Sequence, residues 1–185
     1  MSPRDIPNLI SILRIVLVAP VAWALATEQF SLALILFTVA GISDGLDGFL
    51  AKHFHWQSRL GSILDPIADK VLLVASFATL TWLGLLPVWL LWLVLARDVI
   101  IVCGGLAYHY CVGQFDLTPL WSSKINTTLQ IALVLLVIIQ QQWLQGFNQV
   151  VTIGIWLVVA SVINSGTEYV LVWGGRAWRQ SKQKK

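Results

Sequence analysis

A chain of 185 residues with 57% hydrophobic and 11% charged side chains, and a mean hydropathy of +0.78, is too apolar for a water-soluble domain. The formal net charge is +3, and the way its positive residues are distributed points to anionic lipid headgroups as partners rather than nucleic acid. Two cysteines, Cys103 and Cys111, stand without metal-ligand spacing; a disulfide scaffold and a thiolate zinc site are both excluded as expectations.

Periodicity and apolar run length predict six helices, at 8–27, 31–52, 63–83, 86–109, 124–141 and 147–173, joined by short connections. Several of these runs reach the roughly 20 apolar residues that cross a bilayer. The expected fold is therefore an all-α integral membrane protein, a six-transmembrane-helix bundle forming one domain over 1–185. The first helix carries Asn8, Ser11 and Arg14. Ala24-Leu25-Ala26 mimics a leader cleavage site, but Arg14 interrupts the apolar run before it, so a cleaved leader is not expected.

Orientation follows from the positive residues. With six spans, Arg4, Lys52, Arg59, Lys124, Arg176, Arg179, Lys182, Lys184 and Lys185 share one side, and the opposite loops (TEQF, GLLP and QQQWLQGF) contain no Lys or Arg. The positive-inside rule makes that side, with both termini, cytoplasmic. The basic stretch at 174–185 reads as a solvated tail at an anionic membrane face.

Between the second and third helices the composition changes. Four of the nine carboxylates of the chain, Asp44, Asp47, Asp65 and Asp69, fall in one short window flanked by apolar sequence. Carboxylates in a membrane are costly and call for a partner. The spacings of three and four put each pair on one helix face, and four converging carboxylates make an all-oxygen site suited to Mg²⁺ or Mn²⁺, with room for two ions. Gly45, Gly48 and Gly61 are unfavourable as helix residues and suit close approach of a large group such as a nucleotide diphosphate. Lys52 and Arg59 are placed to offset phosphate charge. Pro66 fits a third helix that begins beside it. A non-enzymatic ion transporter is the rival class, but it predicts carboxylates spread through the membrane depth, whereas these cluster at one edge.

Asp44, Asp47, Gly48, Ala51 and Lys52, followed after eight residues by Gly61 and then by Asp65 and Asp69, resemble the signature D-x2-D-G-x2-A-R-x8-G-x3-D-x3-D of the CDP-alcohol phosphatidyltransferase family. One fixed position departs: Lys52 stands where the family has Arg, keeping the charge but losing the two-pronged contact. The resemblance implies a six-helix membrane homodimer in which an alcohol attacks CDP-diacylglycerol and CMP leaves. Asp44, Asp47 and Asp65 would hold metal, with Asp69 completing a second metal site and serving as general base. Gly48, Ala51, Lys52 and Gly61 would line the nucleotide site, with Asn8 reaching it from the first helix.

The acceptor is the finer question. Members that accept glycerol 3-phosphate show Arg-Glu and then Gly-Lys-x-Lys-Thr; here Arg97 is followed by Asp98, and Ser123-Lys124-Ile125-Asn126-Thr127 takes the second place. That is closer to the members that accept phosphatidylglycerol and form cardiolipin. Arg97 and Lys124 are the candidate contacts to an acceptor phosphate. The plain alternative for Arg97 is an ion pair with Asp98 or Glu168. His53 and His55 read as solvated, and Asn164, Thr167 and Glu168 as a helix-packing cluster.

Overall fold

A computed structural model describes the backbone over residues 6–53, 61–112, 121–143, 146 and 148–183, and side chains over 9–43, 67–104, 121–143, 146, 148–169 and 171. The described residues are all-helical, with α1 Ile6–Ala26, α2 Phe30–His53, α3 Gly61–Trp82, α4 Val88–Val112, α5 Trp121–Trp143 and α6 Asn148–Gln183. Three of them hold apolar stretches long enough to cross a membrane: Leu9–Ala26, Trp121–Trp143 and Asn148–Tyr169. The expected order of six helices is found, with two differences. Helix α6 continues through Trp173-Gly174-Gly175 to Gln183, so most of the expected tail has helical backbone. Helix α3 starts at Gly61, so Pro66 stands in its second turn rather than its first.

Two helices end in the same way with different residues. At the end of α3, Gly84 has φ 73°, its N–H donates to the Thr81 carbonyl at 3.0 Å, and Leu85 N–H donates to the Leu80 carbonyl at 2.9 Å. This paired pattern is the Schellman stop, which uses a left-handed residue to satisfy the last carbonyls. At the end of α1 the same two bonds run from Glu28 to Leu25 at 2.9 Å and from Gln29 to Ala24 at 2.8 Å, with Glu28 at φ 57°. Pro87 then precedes α4, where a missing N–H costs no intrahelical bond.

The chain divides into two compact units, 1–87 with 134–147, and 88–133 with 148–185. In the first unit α1 packs against both α2 and α3. Small residues (Ala24, Ala33, Ala40 and Ala68) are fully buried there, with Val21, Leu25, Phe37, Leu73, Phe77 and Leu80 completing the core; small side chains let helix backbones approach closely. In the second unit α4 packs against α6, Leu90, Val94, Leu133, Val158 and Val162 are buried, and Trp89 meets Trp156 with ring centroids 6.2 Å apart.

The polarity of this packing is inverted relative to a soluble protein. Leu13, Val16, Ile35, Val39, Trp82, Trp92, Val102, Ile153, Trp156 and Leu171 are exposed, whereas Arg14, Arg97, Ser11, Ser76, Asn126 and Gln130 are buried. Ionisable and amide groups in the interior with apolar residues outside is the arrangement a hydrocarbon solvent selects.

Candidate functional site

Helix α2 carries Asp44, Asp47, Gly48, Ala51 and Lys52 in its last three turns, and α3 carries Gly61, Asp65 and Asp69 in its first three. Both helices pack on α1. The side chains of Asp44, Asp47, Gly48, Ala51, Lys52, Gly61 and Asp65, and of Asn8 on α1, lie outside the described residues, as do the loop residues Arg59 and His55 with their backbone. Asp69 is the member of the acidic set whose carboxylate is described.

Arg14 of α1, with a side chain 0% exposed, donates through Nη1 to Oδ1 of Asp69, whose side chain is 42% exposed. The geometry is one-sided: the cation is sunk out of solvent while the carboxylate side chain stays part exposed. A guanidinium stays charged in any protein setting, so its burial requires an anion. Asp69 supplies one, and in return its carboxylate is fixed in orientation. In the sequence Arg14 stands out as an interruption of the first apolar run; the structure gives it an acidic partner 55 residues away. A full-length apolar helix interrupted by one Arg was the signal for such a pair.

The second unit contains a polar cluster of its own. Arg97 of α4, 6% exposed, donates through Nη1 to Asp98 Oδ1 at 2.9 Å and through Nη2 to Ser123 Oγ at 2.8 Å and Ser165 Oγ at 2.5 Å. Asp98 rather than Glu168 is thus its acidic partner. Asn126 of α5 accepts from Ser161 Oγ of α6 at 2.8 Å. Within this cluster Arg97 Nε, Asn126 Nδ2, Ser122 Oγ and both side-chain atoms of Gln130 are buried with no protein partner. Each such orphan costs about 1–3 kcal/mol, and a native site that tolerates several together calls for an explanation.

Lys124 ends in different surroundings from Arg97. It is exposed, with Nζ 5.0 Å from the centre of the exposed Trp121 ring, a cation–π contact. Arg97 is instead enclosed by serines. The Asn164, Thr167 and Glu168 cluster does not form as expected: Asn164 and Thr167 are exposed, and Thr167 Oγ1 donates to the Ile163 and Asn164 carbonyls of its own helix at 2.9 Å. The serines Ser161 and Ser165, four apart on α6, escaped sequence reasoning. Their spacing within an apolar run was the available signal.

The acidic positions on α2 and α3 fall inside the match to a family model for CDP-alcohol phosphatidyltransferase, which spans residues 4–164. The chain is 36% identical over 149 residues to the cardiolipin synthase (CMP-forming) of Rattus norvegicus, covering 72% of this chain and 49% of that protein. It is 31% identical over 184 residues to a chloroplastic CDP-diacylglycerol–glycerol-3-phosphate 3-phosphatidyltransferase of Oryza sativa subsp. japonica, covering 89% of this chain and 56% of that protein. The Escherichia coli (strain K12) protein of the same activity name is 32% identical over 139 residues, 68% of this chain and 72% of its own length. The chain spans about half the length of the rat, human and Drosophila cardiolipin synthases it matches. With the model match extending over most of its length and the signature aspartates distributed on α2 and α3 within it, the chain belongs to the CDP-alcohol phosphatidyltransferase family.

Proposed function

We propose that this chain transfers a phosphatidyl group from CDP-diacylglycerol to the hydroxyl of phosphatidylglycerol, forming cardiolipin and releasing CMP. The observation that carries the reading is the signature aspartate Asp69, part exposed and held by a buried arginine, in a chain of this family. The acceptor hydroxyl oxygen forms a bond to the phosphorus next to the lipid. The bond from that phosphorus to the bridging oxygen breaks, CMP leaves with that oxygen, and Asp69 takes the hydroxyl proton. Arg14 keeps the Asp69 carboxylate turned to that task.

Asp44, Asp47, Asp65 and Asp69 form an all-oxygen donor set on two helices that share α1 as a packing partner, which suits a hard divalent cation such as Mg²⁺ or Mn²⁺. Bound there, two such ions would supply charge stabilisation at the attacking and leaving oxygens. Asn8, Gly48, Ala51, Lys52 and Gly61 take the nucleotide, and Arg97 and Lys124 the acceptor phosphate. The six helices span the membrane with both termini cytoplasmic, and the protein works as a homodimer. The inverted polarity of the packing and the absence of Lys and Arg from alternate loops support the membrane reading.

The test offers purified protein CDP-diacylglycerol and Mg²⁺ in mixed micelles, with phosphatidylglycerol and glycerol 3-phosphate supplied separately and chelator as control. Cardiolipin and CMP from phosphatidylglycerol is the expected result. A second reading, glycerol 3-phosphate as acceptor, is favoured by the identity to the rice and Escherichia coli proteins; phosphatidylglycerophosphate as the product would establish it. CMP release with neither acceptor from folded protein would remove the transferase reading and bring back the ion transporter.

A further inference from the structure

The buried polar cluster of the second unit has a charge balance that bears on the acceptor. Arg97 is paired with Asp98 at 2.9 Å, so the two together contribute no net charge. Asn126, 0% exposed, is neutral and bonded by its oxygen to Ser161. Ser161 and Ser165, which meet Asn126 and Arg97 respectively, lie one turn apart on α6, about 6 Å along the axis. Asn126 and Arg97 therefore engage the same face of α6. Among the described residues, the polar atoms here without a protein partner include the amide nitrogen of Asn126, the whole amide of Gln130 one turn further along α5, Ser122 Oγ one turn before, and Arg97 Nε.

A row of unsatisfied amide and hydroxyl groups suits a ligand rich in hydroxyls and esters, whose oxygens accept from the amide N–H groups and whose hydroxyls donate to the Gln130 carbonyl oxygen. It suits a phosphate monoester poorly. That ligand brings two negative charges beside a guanidinium, Arg97, that already has an anion.

We propose that Asn126 is a specificity-determining residue: its amide nitrogen hydrogen-bonds a glycerol headgroup carrying at most one phosphate charge, and its neutrality rejects the doubly charged glycerol monoester. The assignment rests on the phosphatidyltransferase reading above and names the feature that chooses its acceptor. Gln130 and Ser122 extend the same row.

The experiment compares kcat/KM for phosphatidylglycerol and for glycerol 3-phosphate in the full chain, its Asn126→Lys variant and its isosteric Asn126→Asp variant. Acceptor binding is read separately as the rise in melting temperature on adding short-chain phosphatidylglycerol. Asn126→Lys should move the ratio about tenfold or more towards glycerol 3-phosphate, through the acceptor KM, leaving the KM for CDP-diacylglycerol unchanged. Asn126→Asp should lose about tenfold or more on phosphatidylglycerol, again in acceptor KM, and lose the ligand-induced rise in melting temperature. The aspartate variant decides the matter if the lysine variant does not fold.

An acceptor ratio unchanged within about twofold in both variants, or a loss confined to the KM for CDP-diacylglycerol, overturns the assignment. So does a wild-type protein that already prefers glycerol 3-phosphate. If wild-type protein releases no CMP yet is stabilised by phosphatidylglycerol, and Asn126→Asp is not, Asn126 keeps its role and the transferase reading is what fails.

Discussion

Arg14 and Asp69 illustrate how one contact binds stability to chemistry. Replacing Asp69 by Asn leaves an amide oxygen that still accepts from Arg14 but removes the anion that the buried cation requires, so stability falls too. The amide also cannot take up a proton, and loss of a general base typically costs 10²–10⁴-fold in rate. Asp69→Asn should therefore abolish most CMP release and lower the melting temperature in detergent, with the loss of rate persisting at temperatures where the variant remains folded. Arg14→Gln tests the other end: the carboxylate survives but its orientation is freed. Loss of such an outer partner costs roughly 10–100-fold in activity or metal affinity. The expected result is a fall in kcat with the CDP-diacylglycerol KM little changed, and partial recovery in Arg14→Lys; a rise in KM alone would assign Arg14 to nucleotide binding instead. These two residues also mark the limit of what the sequence displays. The four aspartates were legible because carboxylates in apolar sequence are costly and their spacing selects one face. The partner of Arg14 was not, because a pair separated by 55 residues leaves no periodicity to read, and only the packing of α1 on α3 brings it together.

Among the elements, the paired ends of α1 and α3 make a comparison the molecule has set up itself. Both stops need a residue at positive φ, and the left-handed conformation costs a residue with a Cβ about 1–2 kcal/mol. Gly84 avoids that cost, and nothing lies within 4 Å of where its Cβ would stand, so Gly84→Ala should lose about 1 kcal/mol through backbone conformation alone. Glu28 bears the cost already. Glu28→Gly relieves it but adds about 0.5–1 kcal/mol of unfolded-chain entropy, so the melting temperature should rise slightly or stay level. A fall in Glu28→Gly comparable to that in Gly84→Ala would show that the Glu28 side chain itself stabilises the turn. The helices were read from apolar run length within a few residues at most boundaries. The exception was the extension of α6, because Gly174-Gly175 looks like a break in one dimension while helix continuity depends on the backbone bonds formed beyond it.

At the scale of the whole molecule, the proposed six-span topology puts alternate loops in opposite solutions. A cysteine placed at Glu28, in a background with Cys103 and Cys111 changed to serine, should react with an impermeant maleimide from the outer side of sealed cells. One placed at Lys182 should react only after the membrane is opened. The reverse pattern would invert the topology, and labelling of both from outside would require an odd number of spans. The proposed orientation rests on the absence of Lys and Arg from three loops. The buried polar cluster of the second unit was legible only in pieces: Arg97, Lys124 and Asn126 drew notice as a motif, but burial and hydrogen bonding separate the exposed Lys124 from the enclosed Arg97 and Asn126.

The Arg14–Asp69 pair also has a consequence in time. Translation proceeds at roughly 5–20 residues per second, so the 55 residues between the two impose a delay of roughly 3–11 s during which α1 exists and its anion does not. An arginine at mid-helix costs about 2.5–3.5 kcal/mol on insertion scales, and throughout that interval the newborn helix carries the cost alone. Release of α1 into lipid is thus less favourable before α3 arrives than after, and α1 settles fully only with its partner. Biogenesis of this protein should pass through a stage in which α1 is retained beside the insertion machinery until α3 emerges, and the same residue that steadies the carboxylate in the finished protein sets the order in which its helices enter the membrane.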